Sequence, residues 1–161
     1  MATLEVHQFP CLDDNYGYLV HDPISGLTAT IDTPEVEAIS DALKEKGWSL
    51  DFIFNTHHHQ DHAGGNLALK EMSGCTIIGP AADVDRIPGI DRAVGEGDTV
   101  LLGEWSFKVH DTPGHTRGHI VYHCQTAGIG FVGDTLFALG CGRLFEGTPD
   151  QMWRSLQKIL S

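Results

Sequence analysis

Seven consecutive residues contain four imidazoles and a carboxylate, a density of metal-binding side chains that packing does not require. The segment reads Thr56-His-His-His-Gln-Asp-His62. Imidazole is the commonest protein ligand of borderline divalent metals, and carboxylates bind the same ions. Side chains two residues apart on an extended segment point to the same side, so His57 and His59 can bind one ion together. Asp61 and His62, where the chain turns into a helix, can reach a second ion beside the first.

Two later segments supply groups that would complete such a site: Thr112-Pro-Gly-His-Thr-Arg-Gly-His119 and Gly133-Asp-Thr135. His115 lies on a Pro-Gly turn after a strand and can give the first ion a third imidazole. Asp134, at a strand end, can place one carboxylate oxygen on each ion. We expect His119 to support the site by hydrogen bonding rather than to bind an ion.

These groups together predict the chemistry of a metallohydrolase. Two ions roughly 3.5–4 Å apart can hold a hydroxide between them and polarise a substrate carbonyl. Coordination lowers the pKa of bound water towards about 7, which gives a nucleophile at neutral pH. Asp61 can orient that hydroxide or accept its proton. We therefore predict Asp61 and Asp134 as catalytic residues as well as ligands.

The overall composition excludes several classes of partner. The chain has 161 residues, enough for one domain, and a formal net charge of −12 from 22 acidic residues and 10 Lys and Arg. Phosphate backbones and anionic membranes bind clustered basic residues, so neither a nucleic acid nor a membrane is expected as a partner. There is no apolar run long enough for a bilayer and no secretory signal, which predicts a cytoplasmic protein. The four cysteines form no C-x-x-C pair and are expected to be reduced and structural.

Strands and helices are predicted on either side of each motif. Alternation of apolar and polar residues predicts a half-buried strand that begins at Trp105. A helix is predicted with Thr33 as its N-cap and Gly47 as its end, and a second helix from Ala63 to about Met72. Residues 80–97 are rich in Gly, Pro and Asp and are predicted to form a loop that includes a helical turn.

The last predicted helix begins with a capping box. Thr148-Pro-Asp-Gln151 places a hydroxyl, a proline and an amide at the spacing of such a box. Met152, Trp153 and Leu156 then recur on one apolar face.

At these motifs the chain resembles the metallo-β-lactamase superfamily, whose signature is T-H-x-H-x-D-H, and within it the hydroxyacylglutathione hydrolases (glyoxalase II). The likeness covers the whole chain. The resembling stretches are Asp14–Tyr16, Thr56–Asn66, Thr112–His119, Gly133–Phe137 and Gly140–Thr148.

The resemblance implies an α/β fold, the four-layer αβ/βα sandwich, with a binuclear site at one edge. It also implies His57, His59 and His115 on the first metal, Asp61 and His62 on the second, and Asp134 between them. The metals would be zinc, iron or manganese, and the mixed N and O ligands suit all three. The implied reaction is hydrolysis of S-D-lactoylglutathione and related thioesters by a metal-bridging hydroxide. Arg143 and Phe145 match positions that bind the glutathione part.

One departure from the family pattern concerns the C-terminal side. The family has a seventh ligand, a histidine in a Cys-Gly-His-Glu-like segment, and a C-terminal helical region, and neither is in this sequence. We expect residues 1–161 to form the catalytic domain alone, with the helical domain absent. The second metal site would then lack one ligand, so the first ion should bind more tightly and hydrolase activity should be weak or absent.

Two other interpretations remain open. The first is a mononuclear iron persulfide dioxygenase of the same fold, although the stretches H-H-H-Q-D-H-A-G-G-N and L-F-E-G-T are closer to the thioesterase pattern. The second is a non-catalytic metal-binding fragment that requires a helical partner. In the preferred interpretation the partner is a small-molecule glutathione thioester.

Overall fold

The computed structural model describes residues 3–160 and contains two β-sheets that face each other. Three strands of the first sheet are antiparallel neighbours and the next three continue it in parallel, in chain order. These strands are β1 (Glu5–Cys11), β2 (Asn15–His21), β3 (Thr28–Ile31), β4 (Phe52–Phe54), β5 (Thr76–Pro80) and β6 (Arg92–Val94).

The second sheet has four antiparallel strands in the order β10, β9, β8, β7. Their bounds are β7 (Thr99–Leu102), β8 (Trp105–Asp111), β9 (Ile120–Cys124) and β10 (Ile129–Phe131). The helices are α1 (Val36–Lys46), α2 (Gln60–Ala63), α3 (Asn66–Ser73) and α4 (Pro149–Leu160). No helix within residues 3–160 is both long and apolar enough to cross a bilayer.

The core lies on both faces of the first sheet. Between the sheets, side chains such as Phe54, Phe107 and Tyr122 are fully buried. On the outer face, Ile39 of α1 and Leu69 of α3 cover the strands. The other outer layer includes α4, in which Ser155 Oγ donates to the carbonyl of Pro113 at 2.8 Å. This is the four-layer α/β sandwich that the resemblance implied.

The sequence-based elements are confirmed in part. The alternating strand is β8, with Phe107 and Val109 buried. The capping box forms, because the amide of Gln151 donates to Thr148 Oγ1 at 3.3 Å and the amide of Thr148 donates to Gln151 Oε1 at 2.9 Å. Helix α1 ends at Gly47 in the left-handed conformation, as predicted.

Three expectations about elements were wrong. Helix α1 has Glu35, not Thr33, as its N-cap. The hydroxyl of Thr33 instead donates to Asn66 Oδ1 at 2.8 Å and accepts from the amide of Gly65. The single second helix is two helices, α2 and α3, interrupted at Gly64-Gly65. The loop predicted over residues 80–97 has its helical turn, the 3₁₀ turn Ala81–Asp83, but it also contains β6, which was not predicted.

Strand ends bring the functional motifs together. Asp32 follows β3 and Thr56 follows β4, and these parallel strands end at the same edge of the sheet. The second sheet meets them there, because the amide of Ile120 at the start of β9 donates to the carbonyl of Thr56 at 2.9 Å. The sequence therefore delivers residues from distant parts of the chain to one edge of the sandwich.

Candidate metal centre

Three histidines from two segments point their ring nitrogens at one another. His59 Nδ1 lies 3.2 Å from His57 Nε2 and 3.0 Å from His115 Nε2. One ligand atom from each ring lies within 4.8 Å of the others. These are the three residues that the sequence predicted as ligands of the first metal.

Hydrogen bonds on the far side of two rings determine which nitrogens carry protons. Thr56 Oγ1 donates to Asp32 Oδ2 at 2.7 Å, so it must accept from His57 Nδ1 at 3.0 Å. His115 Nδ1 donates to the carbonyl of Arg143 at 2.7 Å. A neutral ring has one N–H, so the Nε2 atoms of both histidines are lone-pair nitrogens that face inward.

This geometry fits a divalent cation. If both Nε2 atoms are unprotonated, His59 Nδ1 can donate to only one of them. The lone pair of the other Nε2 then receives no proton from the three rings. Burial, followed by the neighbouring imidazoles, lowers the pKa of His57 well below its usual range. Burial and His115 lower the pKa of His59 in the same direction. Neutral, converging imidazoles are the state that binds a metal ion.

A second donor set lies beside the first and shares Asp134 with it. Asp134 Oδ2 is 3.3 Å from His115 Nε2, and Asp134 Oδ1 is 3.2 Å from His62 Nε2. Asp61 Oδ2 is 3.5 Å from the same nitrogen of His62. Each carboxylate oxygen of Asp134 thus faces a different donor set, which is the arrangement expected of a bridging ligand. The structure brings all six sequence-predicted ligands to one place.

Asp32 is a buried member of the site that sequence reasoning missed. Its carboxylate accepts from the amide and hydroxyl of Thr56, both at 2.7 Å, and from His62 Nδ1 at 2.9 Å. Although Asp32, His57 and His62 also lie close enough to hold an ion, the oxygens of Asp32 already accept three hydrogen bonds. Asp32 therefore orients ligands. The signal in the sequence was an acidic residue directly after a buried strand and before a helix.

Charge at His62 depends on the two carboxylates that flank it. Burial alone would lower the pKa of His62, but Asp32 and Asp134 outweigh it and raise this pKa to about 10. Burial alone would raise the pKa of Asp134, and the hydrogen bond from His62 lowers it instead. Without a metal ion, His62 is therefore an imidazolium between two carboxylates.

His119 is a neutral support behind Asp134, as the sequence predicted. Its ring is fully buried, and burial lowers its pKa to about 3. Nε2 accepts from the amide of Asp134 at 3.1 Å. Nδ1 must then carry the proton, which it donates to Thr112 Oγ1 at 2.9 Å. The bond between His119 Nε2 and the amide of Asp134 fixes the backbone from which the Asp134 carboxylate projects.

The two residues predicted to contact substrate lie on a loop beside the first donor set. The ring of Phe145 is 62% exposed and stands edge-on to His59 and His115, with centroids 5.5 and 5.4 Å apart. The side chain of Arg143 is exposed, and no ion pair among residues 3–160 includes it. Its guanidinium is therefore available to an anionic ligand.

An open cleft of about 890 Å³ lies on the side of the second donor set. Asn15, Tyr16 and Phe137 line it together with Asp61, His62 and Asp134. Asn15 Nδ2 donates to Asp61 Oδ2 at 3.2 Å and so orients that carboxylate. The donor groups are thus accessible to a small molecule.

Comparison with known proteins bears on this site. Residues 25–160 match the family model described as the metallo-beta-lactamase superfamily. The chain belongs to this superfamily. The crystal structure of ETHE1 from Myxococcus xanthus superposes with a TM-score of 0.83 at 31% identity, covering 97% of this chain and 69% of that one. The structure described as TTHA1623 in a di-iron-bound form superposes with a TM-score of 0.81 at 25% identity, covering 97% and 85%.

Among curated relatives, the chain is similar to a hydroxyacylglutathione hydrolase of Maricaulis maris. The two are 56% identical over 159 residues, which is 99% of this chain and 62% of the relative. The hydroxyacylglutathione hydrolase of Brucella anthropi is 58% identical over 158 residues, which is 98% of this chain and 61% of that relative. The chain therefore spans less than two thirds of the length of these superfamily relatives.

Proposed function

We propose that this chain is the metal-binding catalytic domain of a thioester hydrolase that acts on hydroxyacylglutathione, with S-D-lactoylglutathione as the expected substrate. One observation carries the proposal: the two oxygens of Asp134 face His115 on one side and His62 on the other, at 3.3 and 3.2 Å. The names of the curated relatives support the substrate class.

The residues that would hold the metals follow from the two donor sets. His57, His59 and His115 would hold the first divalent ion, and Asp61 and His62 the second, with Asp134 between them. Two such ions, whether zinc, iron or manganese, would supply a hydroxide at neutral pH and polarise a carbonyl. The first ion should bind more tightly, because the first set offers three neutral imidazoles and the second must release a proton from His62.

The protein groups around the ions perform the remaining tasks. Asp61, oriented by Asn15, can accept the proton of the attacking water. Arg143 can pair with a glutathione carboxylate, because guanidinium and carboxylate fit each other in charge and geometry. Phe145 can pack on the substrate and exclude water, although it lacks the hydroxyl that a tyrosine would offer. The glutathione thiolate is a good leaving group and needs little acid catalysis.

The test is thioester hydrolysis by the purified chain after separate loading with zinc, iron(II) or manganese(II). We expect slow hydrolysis of S-D-lactoylglutathione, which is measured as a decrease in thioester absorbance. His59→Ala should abolish it, whereas His123→Ala, at an exposed position on β9, should not. A metal-loaded chain that hydrolyses no thioester even when the C-terminal region of one of these longer relatives is supplied would contradict the proposal. Oxygen consumption with glutathione persulfide would replace it with the dioxygenase interpretation.

A further inference from the structure

A group of charged side chains lies behind the ligand histidines and is not part of either donor set. Its centre is Arg86, which follows a short 3₁₀ turn (Ala81–Asp83). The guanidinium donates to Asp83 Oδ1 from Nε at 3.1 Å and from Nη2 at 2.5 Å. It also makes a two-point contact with Glu146, from Nη1 to Oε1 and from Nη2 to Oε2 at 3.2 Å. Nη1 lies 3.2 Å from His58 Nε2 as well.

These contacts join three segments that are far apart in sequence. His58 lies between two ligand histidines, and Glu146 follows the residues expected to contact substrate. Glu146 also accepts from the amide of Arg117, in the segment of the third ligand, at 2.7 Å. The hydrogen bond from Arg86 is the largest cause that lowers the pKa of Glu146, to about 2, so this carboxylate is ionised at neutral pH.

Arg86 also neutralises the buried carboxylate of Asp83, so a neutral residue in its place would leave that carboxylate without a cation. The side chain of Asp83 is completely buried, and a Cβ added at Gly118 would come within 2.3 Å of its carboxylate. Asp83 Oδ2 and His58 Nδ1 have no hydrogen-bond partner within the described residues 3–160 and lie 3.4 Å apart. A buried carboxylate is costly without a paired cation, and Arg86 provides that cation.

The loop held by Glu146 contacts the first donor set directly. The carbonyl of Arg143 accepts from His115 Nδ1 at 2.7 Å, and the amide of Phe145 donates to the carbonyl of His115 at 3.2 Å. The amide of Gly142 donates to the carbonyl of Asp134 at 2.9 Å. Where this loop lies therefore decides which nitrogen of His115 faces the metal site and where Arg143 and Phe145 stand.

We propose that Arg86 is a positioning residue, which holds residues 142–147 against His115 through its paired contact with Glu146. Arg86 touches neither a predicted metal nor substrate, and it acts through Glu146 on the loop. The part of this proposal that concerns substrate rests on the proposed thioester hydrolase function. The part that concerns the loop does not.

Hydrogen exchange followed by mass spectrometry tests the loop in the metal-free chain. Arg86→Gln should raise amide exchange across residues 142–147 by about tenfold or more, with little change in β8. Glu146→Gln should do the same while leaving the pair between Arg86 and Asp83 in place, so it remains informative if Arg86→Gln folds poorly. Arg154→Gln, at an exposed position on α4, is the matched control and should change nothing.

Zinc binding and kinetics test the consequences. Loss of the loop contact should lower the affinity for the first zinc ion by about 10-fold. This lies within the roughly 10–100-fold range for groups that orient ligands. KM for the thioester should rise more than kcat falls. Arg86→Lys should recover thermal stability but not loop protection, because an ammonium cannot make the two-point contact.

The results separate the two proposals. Unchanged exchange in residues 142–147 of both Arg86→Gln and Glu146→Gln would overturn the positioning role. A uniform rise in exchange over the whole chain would also overturn it, since that is general destabilisation. If the loop loosens and zinc binds more weakly in the variants, while even the unaltered chain supplied with the C-terminal region of a relative hydrolyses no thioester, the positioning role stands and the thioesterase proposal fails.

Discussion

Asp32→Asn should weaken the binding of the second metal ion while leaving the binding of the first nearly unchanged. The substitution keeps the side-chain shape, and Asn tolerates the left-handed backbone at this position (φ 58°) as well as Asp does. The carboxylate now accepts three hydrogen bonds, from the amide and hydroxyl of Thr56 and from His62 Nδ1. The amide of Asn has a single acceptor oxygen, so it can take the place of only one of the two carboxylate oxygens of Asp32.

The orientation of the new amide follows from the donors around it. If its NH₂ faced the amide of Thr56, two N–H groups would meet at the present distance of 2.7 Å. The oxygen of the substituted side chain must therefore accept from the backbone amide of Thr56, and the side-chain NH₂ must donate to His62 Nδ1. His62 then carries its proton on Nε2, the nitrogen that faces Asp61 and Asp134. That tautomer has no lone pair for an ion.

The magnitudes follow from the groups that are lost. Each hydrogen bond to a charged group is worth about 1.5–3 kcal/mol, so we expect a loss of about 2–3 kcal/mol in the free energy of unfolding. The second zinc ion should bind about 10–100-fold more weakly. The first should change by less than about threefold, because Thr56 Oγ1 can still accept from His57 Nδ1.

Competition with a chromophoric zinc chelator measures both affinities. Asp41→Asn, at an exposed position on α1, is the control and should bind zinc as the unaltered chain does. An Asp32→Asn variant that binds the second ion with unchanged affinity would refute the tautomer argument. Equal weakening of both ions would refute it too, because that result indicates general disruption.

Three further predictions concern a glycine, a buried acid and the substrate. Gly142→Ala should lower the free energy of unfolding by about 1–3 kcal/mol and weaken zinc binding, because its Cβ would lie 2.3 Å from the carbonyl of Asp134; the control Gly140→Ala has nothing within 4 Å, and equal effects in urea unfolding would contradict this. Asp22→Asn should remove the part of the acid sensitivity that Asp22 contributes: burial opposes ionisation of Asp22, yet hydrogen bonds from Ser25, Ile24 and Trp105 lower its pKa below the ordinary 3.8. Its stabilisation is therefore full above about pH 4 and is lost as pH falls through the lowered pKa; identical urea curves for both chains at pH 7 and pH 3 would contradict this. Arg143→Gln should raise KM for the glutathione thioester by about tenfold with little change in kcat, as expected when a charged contact to substrate is lost; an unchanged KM would exclude the contact.

The ligand set could be predicted because its chemistry is local and dense. The spacing of His57 and His59 and the turn at Asp61-His62 put donors on one side of the chain by geometry alone. The place of Asp134 between the two sets was predicted from its position at a strand end, and the family resemblance implied the same place. Asp32 was missed because its sequence signal, a single acidic residue after a strand, is too common to indicate a role by itself. Its role comes from the parallel pairing of β3 and β4, which a sequence does not display.

The fold was predictable where local signals agreed with tertiary packing. The alternation along β8 and the capping box of α4 were sufficient. Thr33 failed as an N-cap because its hydroxyl has a buried partner, Asn66, that lies 33 positions away in the chain. Strand β6 was missed because two of its three residues are exposed and polar or small, and its pairing with β5 comes from tertiary contacts.

Native mass spectrometry of the chain after zinc loading tests the central claim, that donors from three segments converge on metal ions. We predict one tightly held zinc ion per chain and a second that is lost at lower chelator concentration. His59→Ala should lose the tight ion, and His123→Ala should keep it. A chain that stays metal-free under these conditions, or one whose zinc content is unaffected by His59→Ala, would contradict the account.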